Sequence, residues 1–184
     1  MESSVVAFIL IIATILIGLV VFSLSSVFAS YQYNTISIQT QAENIANGLY
    51  VTISNNESIS NSNNITLFIV PQDFNYHGII YLTVFYVPSY FKQSSDEITP
   101  QLAYTSSGKI LYGLVNGTTT GKTYNTILYS TSLKEMYEGE ITLWKTVTGA
   151  PQVLTLSPPN GYTPIVMFFV QIQGKFVEVG YEWL

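Results

Sequence analysis

Hydrophobic residues are concentrated in one uninterrupted segment near the N-terminus of the chain. Residues 5–29 read VVAFILIIATILIGLVVFSLSSVFA and contain no charged side chain. Seventeen of them are Val, Ile, Leu or Phe, and at roughly 0.3 to 0.6 kcal/mol each they favour membrane insertion by about 5 to 10 kcal/mol. A helix of this length can cross a bilayer. The segment is therefore predicted to be a helix that does not remain free in water.

The helical pattern continues beyond the apolar segment and becomes amphipathic. Apolar residues recur at spacings of 7, 4, 3 and 4, which places them on one stripe of a helix, while polar residues fill the other faces. The stripe consists of Tyr31, Ile38, Ala42, Ile45 and Leu49. The first proline is Pro71, so no helix breaker intervenes. We expect a single helix over residues 1–50, about 70 Å long at about 1.5 Å per residue.

After residue 50 the pattern changes from helical to alternating, with turn residues at the spacing expected of short strands. The predicted strands are Thr66–Val70, Ile79–Val87, Ile110–Val115, Tyr124–Ser130, Glu140–Val147, Gln152–Leu156, Ile165–Gln171 and Lys175–Glu182. A Gln-Gly pair between Ile172 and Lys175 predicts a tight hairpin. The segment SNNESISNSNN over residues 54–64 has no apolar stripe, so residues 51–64 are expected to form a polar linker.

These elements place the chain in the α+β class. A long N-terminal hydrophobic helix precedes an all-β body over residues 65–184. Seven or eight short strands in a body of this size favour an immunoglobulin-like sandwich of two sheets, although the strand order cannot be derived from the pattern.

Charge and reactive residues exclude several classes of function. The chain has 6 basic residues, 11 acidic residues, one His and no Cys, with a net charge of −5. Scattered lysines on an acidic chain argue against nucleic acid as a partner. His77 is isolated, and Glu135, Glu138 and Glu140 form the only acidic cluster, which is expected to lie in a solvated loop. Neither has the spacing of a metal or catalytic site, so no enzyme activity and no cofactor are expected.

Three Asn-x-Ser/Thr sequons are candidates for N-glycosylation. They begin at Asn56, Asn64 and Asn116. The first two lie in the predicted linker and the third lies at a predicted Asn-Gly turn, where a glycan would be accessible from solvent.

The residues that flank the apolar segment differ from those of a cleaved signal or an ordinary anchor. A secretory signal begins with basic residues, whereas this chain begins Met-Glu-Ser-Ser. A membrane anchor usually has Lys or Arg on its cytoplasmic side, and the first basic residue here is Lys92. We therefore expect Met1 to lie at or near the start of a mature chain from which a short basic leader has been removed.

The stretch MESSVVAFILIIATILIGLVVFSLSSVFASYQYNTISIQTQAENIANGL resembles the mature N-terminus of an archaeal type IV pilin or the related archaellin. Bacterial type IV pilins carry glutamate at the fifth position and proline near position 22, where this chain has Val5 and Phe22. Both differences favour the archaeal branch. The resemblance implies cleavage of a leader by a prepilin peptidase, a membrane-inserted precursor, and export by pilus assembly machinery into an extracellular helical homopolymer.

The resemblance also implies which residues form the filament core. We expect the apolar helix to pack against the same helix of other subunits, with Gly18 allowing close approach and Glu2 bound to the free α-amino group of a neighbour. The expected core residues are Glu2, Val6, Ile9, Ile12, Leu16, Gly18, Leu19, Val20 and Leu24.

The sequence leaves other functions open. The leading hypothesis is the major pilin of an archaeal pilus that serves adhesion or surface attachment. An archaellin would build a swimming filament from the same parts. A monomeric cell-surface binding domain, held in the membrane by the same helix, is the alternative from a different class.

Overall fold

The computed structural model describes residues 2–57, 65–90, 121–156 and 158–184, without the side chains of residues 2 and 55–57. The chain divides into two compact units, residues 1–38 and 39–184. The elements are α1 (Glu2–Gly48), β1 (Leu49–Glu57), β2 (Ile65–Asp73), β3 (Ile79–Pro88), β4 (Lys122–Tyr129), β5 (Glu135–Val147), β6 (Gln152–Leu156), β7 (Tyr162–Ile172) and β8 (Lys175–Trp183). The predicted α+β class, with a long apolar helix followed by strands, is confirmed.

The strands of the second unit form two sheets. One has three antiparallel strands in the order β1-β2-β6, and the other has five strands that close into a barrel in the order β3-β5-β4-β8-β7. The two-sheet expectation is met, but the immunoglobulin-like arrangement is not, because the larger sheet closes on itself. Among the described strands, all pairs are antiparallel except β4 with β8.

Closure of the barrel depends on β5, which is long enough to pair with two neighbours. Its first part, from Glu135 to Leu143, pairs with β4, and its last part, from Trp144 to Val147, pairs with β3. Strand β3 then continues along β7, from Tyr81 opposite Phe169 to Pro88 opposite Tyr162. In a two-sheet sandwich each sheet ends in edge strands with only one neighbour. Here β3 pairs with both β5 and β7, so the pairing continues around the barrel.

The linker prediction requires a correction. Residues 51–57 belong to β1, where Ser54 lies opposite Phe68 and Glu57 opposite Ile65. The polar side chains of this segment are compatible with a strand at the edge of a sheet, since one face of an edge strand can remain in water. The predicted helix over residues 1–50 is also corrected at its end, because α1 stops at Gly48 and Leu49 and Tyr50 already pair with β2. Residues 58–64 lie outside the described part of the chain, as does the predicted strand Ile110–Val115.

The barrel interior is filled by large apolar side chains from all five strands. Tyr81 and Tyr124 each meet the ring of Phe176 edge to face, at centroid distances of 5.0 and 5.5 Å. Each edge-to-face pair stabilises the fold by about 0.5 to 1.5 kcal/mol, in addition to the free energy gained by burying the two rings. The other interior residues include Phe85, Leu128, Met136, Ile141, Leu143, Ile165, Met167 and Phe169. The body therefore has a substantial core of its own.

The last turns of α1 belong to the second unit, and hydrogen bonds join them to two loops of the β body. Ala42 and Ile45, two residues of the predicted apolar stripe, are buried. The side-chain amide of Gln39 donates to the Ser132 carbonyl over 2.8 Å, and that of Asn75 donates to the Asn44 carbonyl over 3.0 Å. These two bonds tie the last turns of α1 to the β4–β5 and β2–β3 loops.

Gly48 gives a test of this junction. A Cβ atom at position 48 would lie 2.5 Å from Asp73 Oδ1 and 2.7 Å from Asn75 Nδ2. We expect Gly48→Ala to destabilise the body by about 1 to 3 kcal/mol, because both groups would have to move. Thermal unfolding of the full chain in detergent should show a lower midpoint. Asn47→Ala, at the exposed neighbouring position, is the control, and an equal midpoint for both variants would contradict the expectation.

Candidate assembly surface

The surface with the most distinctive chemistry is the apolar part of α1, in the first unit. Every large hydrophobic side chain from Val5 to Phe28 is exposed. Leu16, at the middle of the segment, is 57% exposed, and Phe22 is 72% exposed. Surface helices of soluble proteins bury one apolar face and expose a polar one. This segment instead presents hydrophobic side chains on all sides.

Within the described chain, α1 is a helix long and apolar enough to cross a membrane, judged by length and composition. Thr14 does not interrupt this character, because its hydroxyl donates to the Leu10 carbonyl over 2.8 Å. Thr35 makes the same bond to Tyr31 over 3.0 Å. A hydroxyl paired within its own helix can enter an apolar environment without leaving its donor unsatisfied.

The residues predicted for the filament core lie together along this helix. Seven of them are exposed apolar side chains: Val6, Ile9, Ile12, Leu16, Leu19, Val20 and Leu24. A Cβ atom at Gly18 would meet no other atom within 4 Å. Glu2 is the first residue of α1, and its side chain lies outside the described part. Since the single chain places no partner against these positions, their packing stays a prediction.

The three sequons are only partly described. The backbone of Asn56 lies in β1 opposite Thr66, in a strand rather than in the predicted linker. Asn64 and Asn116 lie outside the described residues. The order β1-β2-β6 leaves β1 at the edge of its sheet.

The histidine and the acidic cluster noted in the sequence lie on exposed parts of the second unit. His77 is exposed in the β2–β3 loop, and Glu135, Glu138 and Glu140 are exposed on β5, so the acidic cluster lies on a strand rather than in a loop. Among the described residues, no group of three or more His, Asp or Glu side chains is placed to hold a metal ion.

One carboxyl group that the sequence analysis did not single out has a shifted pKa. Burial raises the pKa of Glu178, in β8, to about 7. Glu178 lies opposite Phe169, whose ring belongs to the barrel interior, and its backbone carbonyl accepts a hydrogen bond from the Thr131 hydroxyl over 3.1 Å. A carboxylate close to an apolar interior is costly to ionise. The alternation of β8 places Glu178 on the same face as Phe176, a residue of the barrel interior, and this is the signal that could have indicated its position.

The second unit also contains a groove that the sequence pattern did not indicate. It lies where the end of α1 meets the β2–β3 loop and the β7–β8 hairpin, and its volume is about 410 Å³. Its lining residues come from three separate parts of the chain, with no motif connecting them. No family model, curated protein or solved structure matches the chain.

Proposed function

We propose that the chain is the major structural subunit of an extracellular archaeal type IV pilus, which polymerises through α1 and serves surface attachment. The observation that carries this proposal is the exposure of hydrophobic side chains around the whole circumference of α1 between Val5 and Phe28. Burying one such side chain contributes about 1.5 to 3 kcal/mol. A helix of this kind needs an apolar environment on every side.

A bundle of identical helices supplies that environment outside the membrane. The precursor is held in the bilayer by α1, and pilus assembly machinery transfers it, after cleavage by a prepilin peptidase, to a bundle of neighbouring α1 helices. The hydrophobic free energy is largely retained in this exchange, because one apolar environment replaces another. Contacts between different surfaces of successive subunits then produce an open helical polymer.

The second unit is suited to the exterior of such a polymer. Its barrel contains its own apolar core, so its folding does not require the apolar part of α1. The chain has few charged residues, 9% of the total, and its outward positions on β1 and β2 include Thr52, Ser54 and Gln72. Neutral hydrogen-bonding side chains keep a surface soluble across a wide range of pH.

A membrane-anchored cell-surface domain is the second candidate, since α1 is also long enough to cross a bilayer as a permanent anchor. The two functions differ in where the chain is found after shearing of cells. A pilus subunit leaves the cells in filaments, whereas an anchored domain stays with the membrane.

The test is electron microscopy of sheared surface material from cells that express the chain. We expect filaments that bind an antibody against residues 65–184 and that contain the chain by peptide mass spectrometry. Recovery of the chain only in the membrane fraction, with no labelled filaments, would overturn the proposal. A deletion strain that loses attachment but still swims would support a pilus, and one that loses swimming would support an archaellin.

We further propose that filaments carry N-linked glycans at Asn56, Asn64 or Asn116. Mass spectrometry of filament peptides should show glycan mass at one or more of these positions, and the mass should disappear at a position changed from Asn to Gln. Three unmodified peptides in native filaments would refute the proposal.

A further inference from the structure

The groove at the end of α1 is lined mainly by side-chain amides. Five of its eight lining residues are Gln41, Asn44, Asn75, Gln171 and Gln173, and none of the eight is charged. Each amide provides both a donor and an acceptor for hydrogen bonds. A ligand for this surface must therefore offer several donors and acceptors and no formal charge.

The other three lining residues are Ile45, Tyr76 and Ile172. The two isoleucines are each 7% exposed, and Tyr76 is half-buried. The groove therefore combines largely buried apolar groups with exposed amides. Its volume of about 410 Å³ lies within the roughly 300 to 1,000 Å³ found for small-molecule sites.

The β2–β3 side of the groove is rigidly built. Asp73 is buried, and its Oδ1 accepts hydrogen bonds from the backbone N–H groups of Asn75 and Tyr76 over 2.7 and 2.9 Å. The Asn75 amide donates to the Asn44 carbonyl over 3.0 Å, and the Tyr76 hydroxyl donates to the Ile79 carbonyl over 3.1 Å. Binding to a preformed surface avoids the entropic cost of ordering it.

The opposite side is the β7–β8 hairpin. Gln173 and Gly174 have φ angles of 51° and 82°, and two consecutive positive φ angles are typical of a type I′ turn. This turn holds Gln173 at the groove. Phe74, directly before Asn75 in the chain, is 87% exposed, so an unpaired aromatic ring lies on the same fixed loop.

We propose that this groove binds a neutral, hydroxyl-rich saccharide. Sugar hydroxyls match the donors and acceptors of the amides, and the C–H face of a sugar ring can pack on the half-buried Tyr76 ring in the lining. A purely apolar ligand would remove exposed amide groups from water without replacing their hydrogen bonds to it, at a cost of about 1 to 3 kcal/mol for each group so buried. An ionic ligand would find no counter-charge in the lining. An extended peptide usually binds along a free strand edge, whereas the groove is made by a helix end, a loop and a hairpin turn.

The assignment of this groove to surface attachment rests on the proposed function, while the saccharide binding itself does not require filaments. The saccharide could belong to another surface or to glycans on neighbouring copies of the chain. Both sources present the same chemistry to the groove.

Binding can be measured with the full chain in a detergent that has no sugar headgroup, since sugar detergents would compete. The chain is applied to immobilised neutral oligosaccharides ending in glucose, mannose, galactose or N-acetylglucosamine, with sialylated oligosaccharides as the acidic comparison. We expect binding to at least one neutral class and a fall in apparent affinity of about tenfold in Asn44→Ala and in Gln171→Ala, the loss of roughly one hydrogen bond to the ligand. Gln72→Ala, which removes an exposed amide outside the groove, should bind as the wild type does.

Equal binding by the wild type and both groove variants, preference for sialylated oligosaccharides, or binding to immobilised peptides alone would overturn the inference. In a second arm, wild-type subunits and a triple Asn→Gln variant at the three sequons are immobilised as ligands. Binding to the wild-type subunits that is lost with the triple variant would assign the saccharide to the chain's own glycans, whereas binding to neither, with binding to the oligosaccharides retained, would assign it to another surface. Normal filaments without saccharide binding would refute this inference alone, whereas saccharide binding by a chain that never forms filaments would refute only the proposed function.

Discussion

Filaments should be absent from cells in which Leu16 is replaced by lysine. Leu16 lies at the middle of the apolar part of α1, where the proposed bundle offers neither water nor a counter-charge. Burying an unpaired ammonium group costs at least several kcal/mol, and the cost recurs at every subunit of the polymer. Sheared material examined by electron microscopy should contain no filaments of this variant, a loss that is essentially complete.

Two control variants separate assembly from folding. Leu16→Met conserves volume and polarity, so filaments should form as in the wild type. Tyr33→Lys places the same charge on α1 next to Gln32 and Asn34, outside the apolar segment, and should also assemble. The near-ultraviolet spectrum of the Leu16→Lys chain in detergent should match that of the wild type, since Trp144 and Trp183 lie in the second unit. Normal filaments from Leu16→Lys would contradict an α1 core.

The contribution of Glu178 to the stability of the second unit should fall as the pH rises from about 4.5 to about 7. Burial raises the pKa of Glu178 from 4.5 to about 7 in the folded chain, and the unfolded chain is expected to titrate near the lower value. Between these values the folded state binds a proton at Glu178 that the unfolded state has lost, so this contribution to stability is complete below pH 4.5 and is lost progressively as the pH rises through 7. The difference between the two pKa values corresponds to a change of about 3 kcal/mol in the free energy of unfolding.

Glu178→Gln isolates this effect. The glutamine amide cannot ionise. The Glu178→Gln variant should therefore have a thermal unfolding midpoint roughly 6 to 12 °C above that of the wild type at pH 8, and the difference should be much smaller at pH 4. Glu182→Gln removes an exposed carboxylate from the same strand and should leave the pH dependence unchanged. Parallel stability curves for the wild type and Glu178→Gln between pH 4 and 8 would show that Glu178 is not the titrating group.

Local patterns were sufficient for the helix and for most strands. The absence of proline and the spacing of Ala42 and Ile45 predicted a helix to residue 50, two residues beyond its end at Gly48, and the Gln-Gly pair predicted the β7–β8 hairpin. Strand β1 was missed because its polar half, Ser54–Glu57, gains its structure from pairing with β2 rather than from its own residues. Strand formation depends strongly on such neighbours.

Contacts distant in sequence explain the other differences. The barrel requires a parallel pair between β4 and β8 and a β5 strand that pairs with two partners, and neither leaves a local pattern. The groove joins residues near positions 44, 75 and 172, which only the folded chain brings together. The exposed apolar helix, by contrast, was evident from composition alone, because a segment without charge or proline needs no tertiary information to be recognised.

A helical reconstruction of native filaments by cryo-electron microscopy tests the central claim most directly. We predict filaments built from this chain, with α1 helices packed around the axis, Leu16 and its apolar neighbours in contact with other subunits, and residues 65–184 on the outside. A filament whose axis is not formed by α1, or a chain that remains embedded in the membrane as a monomer after shearing, would contradict the account.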